Sequence, residues 1–420
     1  METKRLGSTY WRLWTAAGLS SLADGVLKVA LPLVAVGYTR SPVLIAGLAF
    51  AFTLPWLLFA LPAGALVDRL DRRRAMLGAN LVRGGLLAVV TLMTVFGGGS
   101  IWALYVVATG VGFAETVYDT AAQSIVPQVV GRDRLSAANG RMYAAEQTAN
   151  EFAGPPLAGF LVAAGVLTAL VTPLALWAVA VAALLLVRGT YRIERPERTT
   201  LRADIAEGVR FLLRHKVLRT FSVMAGTFNF ATGATFAVFV LYAVGPGSAM
   251  GLSGPAFGLV MATNAAGGVT GSFLAGPVER GLGRIGTLWV SWLAGGLTIG
   301  VLAVTTNPYA VAAGFFLGGL GIMMSNVVTV SLRQRVTPDG LLGRLNSSYR
   351  LVAWGAKSLG ALAAGVLSQA LGLHAVFVVM AVLAFTVVAG LFAVTENALT
   401  LAEREAGRAG AAPGSRPSPA

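Results

Sequence analysis

Cysteine is absent from the 420 residues, and histidine occurs twice, as His215 and His374. No disulfide can form. Neither histidine lies in the middle of an apolar segment, and no Gly-x-Ser-x-Gly elbow or Gly-Lys dipeptide occurs. An elbow hydrolase and a P-loop are thereby excluded, and with the P-loop any direct drive by ATP. Charge is scarce too. Only 12% of residues are charged, whereas a soluble domain carries roughly 25% to cover its surface.

Apolar residues fill the gap: they make up 56% of the chain, with a mean hydropathy of +0.73. Twelve apolar segments fall near 11–37, 43–67, 75–96, 101–123, 141–165, 167–188, 218–244, 255–278, 285–305, 308–331, 345–371 and 373–394. Each is close to the roughly 20 residues that cross a hydrocarbon layer as a helix. Lipid supplies no hydrogen bonds, so the backbone must satisfy its own, and the alternation of a barrel strand is missing. The expected fold is therefore an all-α membrane protein of about twelve transmembrane helices. Residues Met1–Arg12 are polar, and the first apolar segment is too long for a signal-peptide core.

The net charge of +14 is placed as topology requires, which argues against a nucleic-acid partner. Of the 32 Lys and Arg, all but Lys28, Arg40, Arg83 and Lys357 sit in the N-terminal segment, the even-numbered connections or the tail. Only Arg40 lies in an odd-numbered connection. By the positive-inside rule both termini belong in the cytoplasm of a multi-pass inner-membrane protein.

The chain also repeats itself at an offset of about 206–212 residues. Leu19–Val36 lies over Thr227–Val244, with Gly25 on Gly233 and Asp24 on Thr232; Ala63–Arg69 lies over Ala275–Arg280, and Gly154–Leu161 over Gly360–Leu367. Two pseudo-symmetric six-helix bundles follow, 1–188 and 218–395. They are joined by a linker, 189–217, and followed by a tail, 396–420, whose Gly, Ala and Pro content predicts disorder. Within the linker Leu201, Ile205, Val209 and Leu212 recur at helical spacing, which predicts an amphipathic helix resting on membrane lipid.

Six ionisable residues inside the segments are candidates for substrate-cavity or coupling roles: Asp24, Lys28, Glu115, Asp119, Glu151 and Lys357. An ionised side chain in a span costs at least ~2.5–3.5 kcal/mol on insertion scales, so its presence points to a use. Asp24 and Lys28 are one turn apart in span 1, as are Glu115 and Asp119 in span 4. Each couple reads either as a neutralised or hydrated structural pair or as a proton-exchanging site. Glu151 and Lys357 occupy equivalent positions of the repeat with opposite charge, and Arg83 is expected to snorkel to the cytoplasmic edge of span 3.

Gly64–Arg74, GALVDRLDRRR, resembles the loop signature of the Major Facilitator Superfamily, and Gly154–Gly159, GPPLAG, resembles the motif of its drug/proton antiporters. Glu207–Arg219 and Asp119–Gly140 resemble the branch containing macrolide efflux pumps and the enterobactin exporter. Asp71 replaces a usual Gly of the loop signature. Val107 stands where many proton-coupled exporters carry Arg, so their relay does not transfer whole. The resemblance implies a secondary active exporter of a drug-like or natural-product small molecule. It would be driven by protons, need no cofactor or metal, and act as a monomer. Spans 1, 4, 7 and 10 would line its cavity. Gly64, Asp68, Arg69, Arg72 and Arg73 would form a gating loop latching the two halves on the cytoplasmic side. Gly154, Pro155 and Gly159 would kink and smooth span 5. Uptake or facilitated passage of a small metabolite remains open, as does a non-transporting membrane sensor.

Cysteines introduced at Ser100 and Ser248 should react with an impermeant thiol reagent in intact cells, and one at Ser136 only after lysis. Labelling at Ser136 in intact cells would overturn the orientation.

Overall fold

A computed structural model of the chain describes residues 6–131, 134–191, 201–337, 339–397, 399–401 and 403–404. Their secondary structure is almost wholly helical: α1 (Ser8–Ala35), α2 (Pro42–Arg69), α3 (Arg72–Val95), α4 (Ile101–Val129), α5 (Leu135–Gln147), α6 (Gly154–Ala164), α7 (Val166–Leu185), α8 (Leu201–Arg214), α9 (Lys216–Ala243), α10 (Gly254–Val304), α11 (Pro308–Val336), α12 (Asp339–Leu371) and α13 (Leu373–Thr386). Helix starts follow the local sequence. Asp71, Ser100, Ser253 and Asn307 accept the first free amides of α3, α4, α10 and α11. Proline occupies the first turn of α2, α10 and α11, where its missing N–H costs nothing.

Among the described residues, ten helices are long and apolar enough to cross a membrane. Two corrections to that count give the twelve crossings expected. Helix α10 runs for 51 residues, about 76 Å at 1.5 Å per residue, but Gly283 breaks it with φ 69° and ψ 174°, so it crosses twice. The fifth crossing is missing from the ten because it is divided. Helices α5 and α6 are joined by a π-helical turn, Thr148–Ala153, in which the Gly154 amide reaches back five residues to the Ala149 carbonyl. Pro155 and Pro156 follow at once. They cannot donate to the carbonyls of Glu151 and Phe152, and the loosened ladder widens into the π turn. The kink expected at Gly154–Pro155 is thus a π turn just before it. Large apolar side chains such as Phe96, Phe273 and Val304 stay exposed, as a lipid solvent allows.

Glycine sets how closely the spans approach. A Cβ on Gly25 would collide with the backbone of Asn150, and one on Gly233 with the backbone of Lys357. The same contact therefore joins spans 1 and 5 in the first half and spans 7 and 11 in the second. This geometry corrects the repeat register: Lys357 corresponds to Asn150, not Glu151, because the π turn holds one residue more than an α-turn.

The halves meet along α2 with α12 and along α6 with α10. Trp56 stacks on Trp354 at 5.4 Å, and a Cβ on Gly365 would sit 3.1 Å from the Val43 Cα. Gly159 lies against the Gly254 carbonyl, Gly258 lies against that of Pro155, and Arg40 donates to the Val244 carbonyl at 3.2 Å. These contacts lie between mid-span and the face opposite the termini.

Two expectations are revised. Helix α8 forms as predicted, but Leu212 is buried and α8 packs on α12 and α9, so its apolar face covers protein there rather than lipid. The Leu201 and Ile205 side chains lie outside the described residues. The tail is helical where described between 396 and 404, with Leu399 buried and Glu396 and Glu403 bound to Arg284 at 2.5 and 2.7 Å. Its remainder lies outside the described residues.

Gly25→Ala should lower the unfolding temperature of the purified protein, since even one methyl must displace the span 5 backbone, at about 1–3 kcal/mol. Gly18→Ala, with no neighbouring atom within 4 Å of the new methyl, should not. Equal melting of the two variants would refute the close-contact account.

Candidate functional site

Four ionisable side chains from three spans meet inside the first half. On α3, Arg83 has a side chain 0% exposed, and its Nη1 donates to Asp24 Oδ2 at 3.1 Å, to Ser20 Oγ at 3.1 Å and to Asn80 Oδ1 at 3.3 Å. The ring of Tyr118 lies 4.9 Å from the guanidinium carbon and that of Trp177 lies 5.8 Å away. One turn along α1 from Asp24, Lys28 donates to Glu115 Oε1 at 3.0 Å and to Asn150 Oδ1 at 3.3 Å, and its ammonium stands 5.9 Å from the Phe52 ring.

Two corrections follow. Asp24 and Lys28 do not neutralise one another, because each has its own partner on another span. Arg83 does not snorkel: it is the most deeply buried charge of the group. Glu115 likewise pairs across to α1 rather than acting with Asp119, which is half-buried and makes no ion pair among the described residues.

The two pairs differ in exposure. The Asp24 and Arg83 side chains are 4% and 0% exposed, whereas Lys28 is 29% exposed beside a Glu115 that is 6% exposed. Glu151 is exposed at the π turn, and its charge acts on both Lys28 and Lys357. Lys357, half-buried on α12, holds its ammonium 5.3 Å from the Trp354 ring. Among the described residues no cluster of three or more acidic or histidine side chains could hold a metal ion.

The loop between α2 and α3 is fixed within its own half. Asp71 caps α3 through the Arg74 amide and accepts the Tyr191 amide at 2.5 Å. Arg73 donates to the carbonyls of Leu184 and Leu185 at 2.9 and 3.0 Å, and the Arg72 amide donates to the Tyr191 carbonyl. Burial pushes the Tyr191 phenol above its ordinary range, against the lowering effect of the Arg73 guanidinium. Arg72 is buried and Arg69 exposed, while Gly64 and the Asp68 side chain lie outside the described residues. Of the span 5 motif, Gly154 abuts the Gly25 backbone, and Pro155 and Gly159 face the start of α10.

Sequence reasoning missed Ser20, Asn80, Trp177 and Asn150. A signal for the first two was present: Ser20 with Asp24, and Asn80 with Arg83, are polar pairs at i,i+4 and i,i+3 that place two polar faces in apolar spans.

Residues 6–410 match the family described as transmembrane secretion effector, a group of the Major Facilitator Superfamily. The chain belongs to this family. It is 28% identical over 388 residues to a protein of Mycolicibacterium fortuitum named multidrug efflux pump Tap, covering 87% of this chain and 90% of that one. It is 22% identical over 131 residues to macrolide efflux protein A of Streptococcus pyogenes, about a third of each chain (31% and 32%). Its fold is similar to a bacterial homologue of ferroportin in an inward-facing state, with a TM-score of 0.74 and 16% identity over 93% of this chain and 99% of that one. A nucleoside transporter, crystallised as a point mutant, also gives a TM-score of 0.74, at 11% identity over 92% and 99% of the two chains. The chain is a multi-pass membrane transporter of the export type acting on small molecules, and not an enzyme.

Breaking a buried ion pair by removing one partner costs about 3–5 kcal/mol, whereas replacing both with apolar residues is close to neutral. Asp24→Leu and Arg83→Met should each lower the melting temperature more than the two substitutions combined. Additive losses would show that the pair is not the unit of stability.

Proposed function

We propose that the protein exports an amphipathic, drug-like small molecule from the cytoplasm across the inner membrane in exchange for protons, working as a monomer by alternating access. The observation that carries this reading is the charged site of α1, α3 and α4, graded from the buried Asp24–Arg83 pair to the partly exposed Lys28–Glu115 pair. The relatives' names, multidrug efflux pump and macrolide efflux protein, support the substrate class. The named contacts between the halves, placed away from the termini, support a conformer shut on the outer side. Both termini are assigned to the cytoplasm from the Lys and Arg distribution.

Within this reading the two pairs divide the work. Asp24 is held by Arg83, which also bonds Ser20 and Asn80, and it ties spans 1 and 3 together. Glu115 is the exchanging carboxylate. Its partner Lys28 reaches water and keeps a second bond to Asn150, so Glu115 can gain a proton without leaving a buried cation stranded. Glu151 and Asp119 line the same route. The loop carrying Gly64, Asp68, Arg69, Arg72 and Arg73 gates the cytoplasmic side and moves with the first half, to which Asp71 and Arg73 fasten it.

In inside-out vesicles, a fluorescent amphipathic dye should accumulate when a pH gradient is imposed. Glu115→Gln should fold and still bind the dye, but lose gradient-driven accumulation by about tenfold or more, roughly 1.4 kcal/mol or above. Parental rates with an unchanged pH profile would remove Glu115 from the coupling step.

A further inference from the structure

Lys357 differs from the other cations held in the spans. Arg83 has Asp24 and Lys28 has Glu115, but among the described residues no carboxylate oxygen lies within 4.0 Å of the Lys357 ammonium. Its main chain is pressed on α9 by Gly233. Its side chain lies on the face of Trp354, which stacks on Trp56 of the opposite half at 5.4 Å with the rings 18° from parallel. An ammonium retained in a span without an ion partner is costly, and the ring quadrupole offsets only part of that cost.

The surroundings of this ammonium are organised. On α2, Phe52, Trp56 and Phe59 stand at i, i+4 and i+7 and so form one stripe. Lys28 lies over Phe52, Lys357 lies on the ring stacked against Trp56, and Phe59 meets Phe113 edge to face at 5.1 Å. One aromatic stripe thus runs past two ammonium groups, one from each half. The Lys28 charge is neutralised by Glu115 at 3.0 Å, whereas the carboxylates acting on Lys357, Glu151 and Glu115, do so from beyond ion-pair distance. Phe59 and Phe113 are about 40% exposed (40% and 39%), leaving apolar surface one turn from Trp56.

From the unpaired Lys357 ammonium on the Trp354–Trp56 stack, we infer that the transported compounds include amphipathic acids, whose carboxylate or equivalent anion docks on Lys357 while the apolar body lies along Phe59 and Phe113. Lys357 is then a specificity-determining residue. A charge-assisted hydrogen bond in a water-poor seam favours an acid over its neutral ester. The anion also bridges the halves, because Lys357 belongs to the second half and the aromatic stripe to the first. This inference rests on the proposed export of amphipathic compounds and narrows their chemistry.

The test uses purified full-length protein in phosphatidylcholine nanodiscs, titrated with a naphthalene carboxylic acid and with its methyl ester while tryptophan fluorescence is followed. Lys357→Gln should weaken the acid by about tenfold or more and shift the ester by clearly less. Lys357→Arg, which keeps the charge, should stay within about threefold of the parent for the acid. Equal shifts for acid and ester, no shift in Lys357→Gln, or no binding of either compound by the parent would each overturn the assignment. Dye accumulation by the parent in inside-out vesicles reads the export function separately. A parent that accumulates dye yet shows no Lys357-dependent preference for the acid refutes this inference alone.

Discussion

A guanidinium with no solvent contact, in the middle of a span, cannot stand unless other helices bring it a carboxylate and hydrogen-bond acceptors. Arg83 is such a group, and the first bundle is arranged around it. Asp24 and Ser20 come from α1, Asn80 from its own helix, Tyr118 from α4 and Trp177 from α7. Four spans are thereby fixed in rotation about their own axes, which apolar packing alone does weakly when lipid is as good a neighbour as leucine. Once α1 is fixed, Lys28 falls one turn further along beside Glu115 of α4, and the second pair follows from the first.

The same helix carries the backbone contact that sets the spacing. Gly25 stands one residue from Asp24, so the position that fixes the rotation of α1 adjoins the position where α1 touches span 5. The π turn matters for this reason. It sets Asn150 against Gly25 and within reach of Lys28, and it leaves Glu151 exposed one position on. In an unbroken α-helix with the repeat's simple register, Glu151 would take the place of Asn150. A carboxylate would then face Lys28 directly and compete with Glu115. Two prolines in succession, which deprive two carbonyls of their donors, therefore decide which side chain completes the Lys28 site.

Much of the fold was legible because lipid imposes a simple rule, a long apolar helix for every crossing. The loop signature and the GPPLAG motif led to the right superfamily for a similar reason: each is a local pattern. The site was legible only in part. Asp24, Lys28 and Glu115 stood out as charges in apolar runs, but partners one turn apart on one helix were the only pairs a linear reading could offer. The actual partners, Arg83 for Asp24 and Glu115 for Lys28, depend on helix rotation, which no spacing within one span reveals. Arg83 was misplaced because a long side chain in a span can snorkel; what keeps it inside is a set of acceptors on other helices. The single-residue shift of the π turn was equally invisible, since the sequence match runs through Gly154 and Gly360 without a gap.

The unequal exposure of the two pairs bears on which of them suits the proposed exchange. Asp24 and Arg83 have almost no route to water, so a change in the protonation of either must disturb the packing of four spans. Lys28 is exposed over nearly a third of its side chain, and its bond to Asn150 survives the loss of the Glu115 charge. In the proton exchange proposed above, Glu115 is therefore the carboxylate whose neutralisation carries the lower mechanical cost. Neutralising Glu115 frees the charge of Lys28 to act along the α2 stripe, towards the Trp56–Trp354 contact where the halves join. Lys28 and Lys357 repel one another across that seam. On that proposal, losing the Glu115 charge strengthens this repulsion at the junction of the halves, and the proposed proton site is linked to the seam by charge.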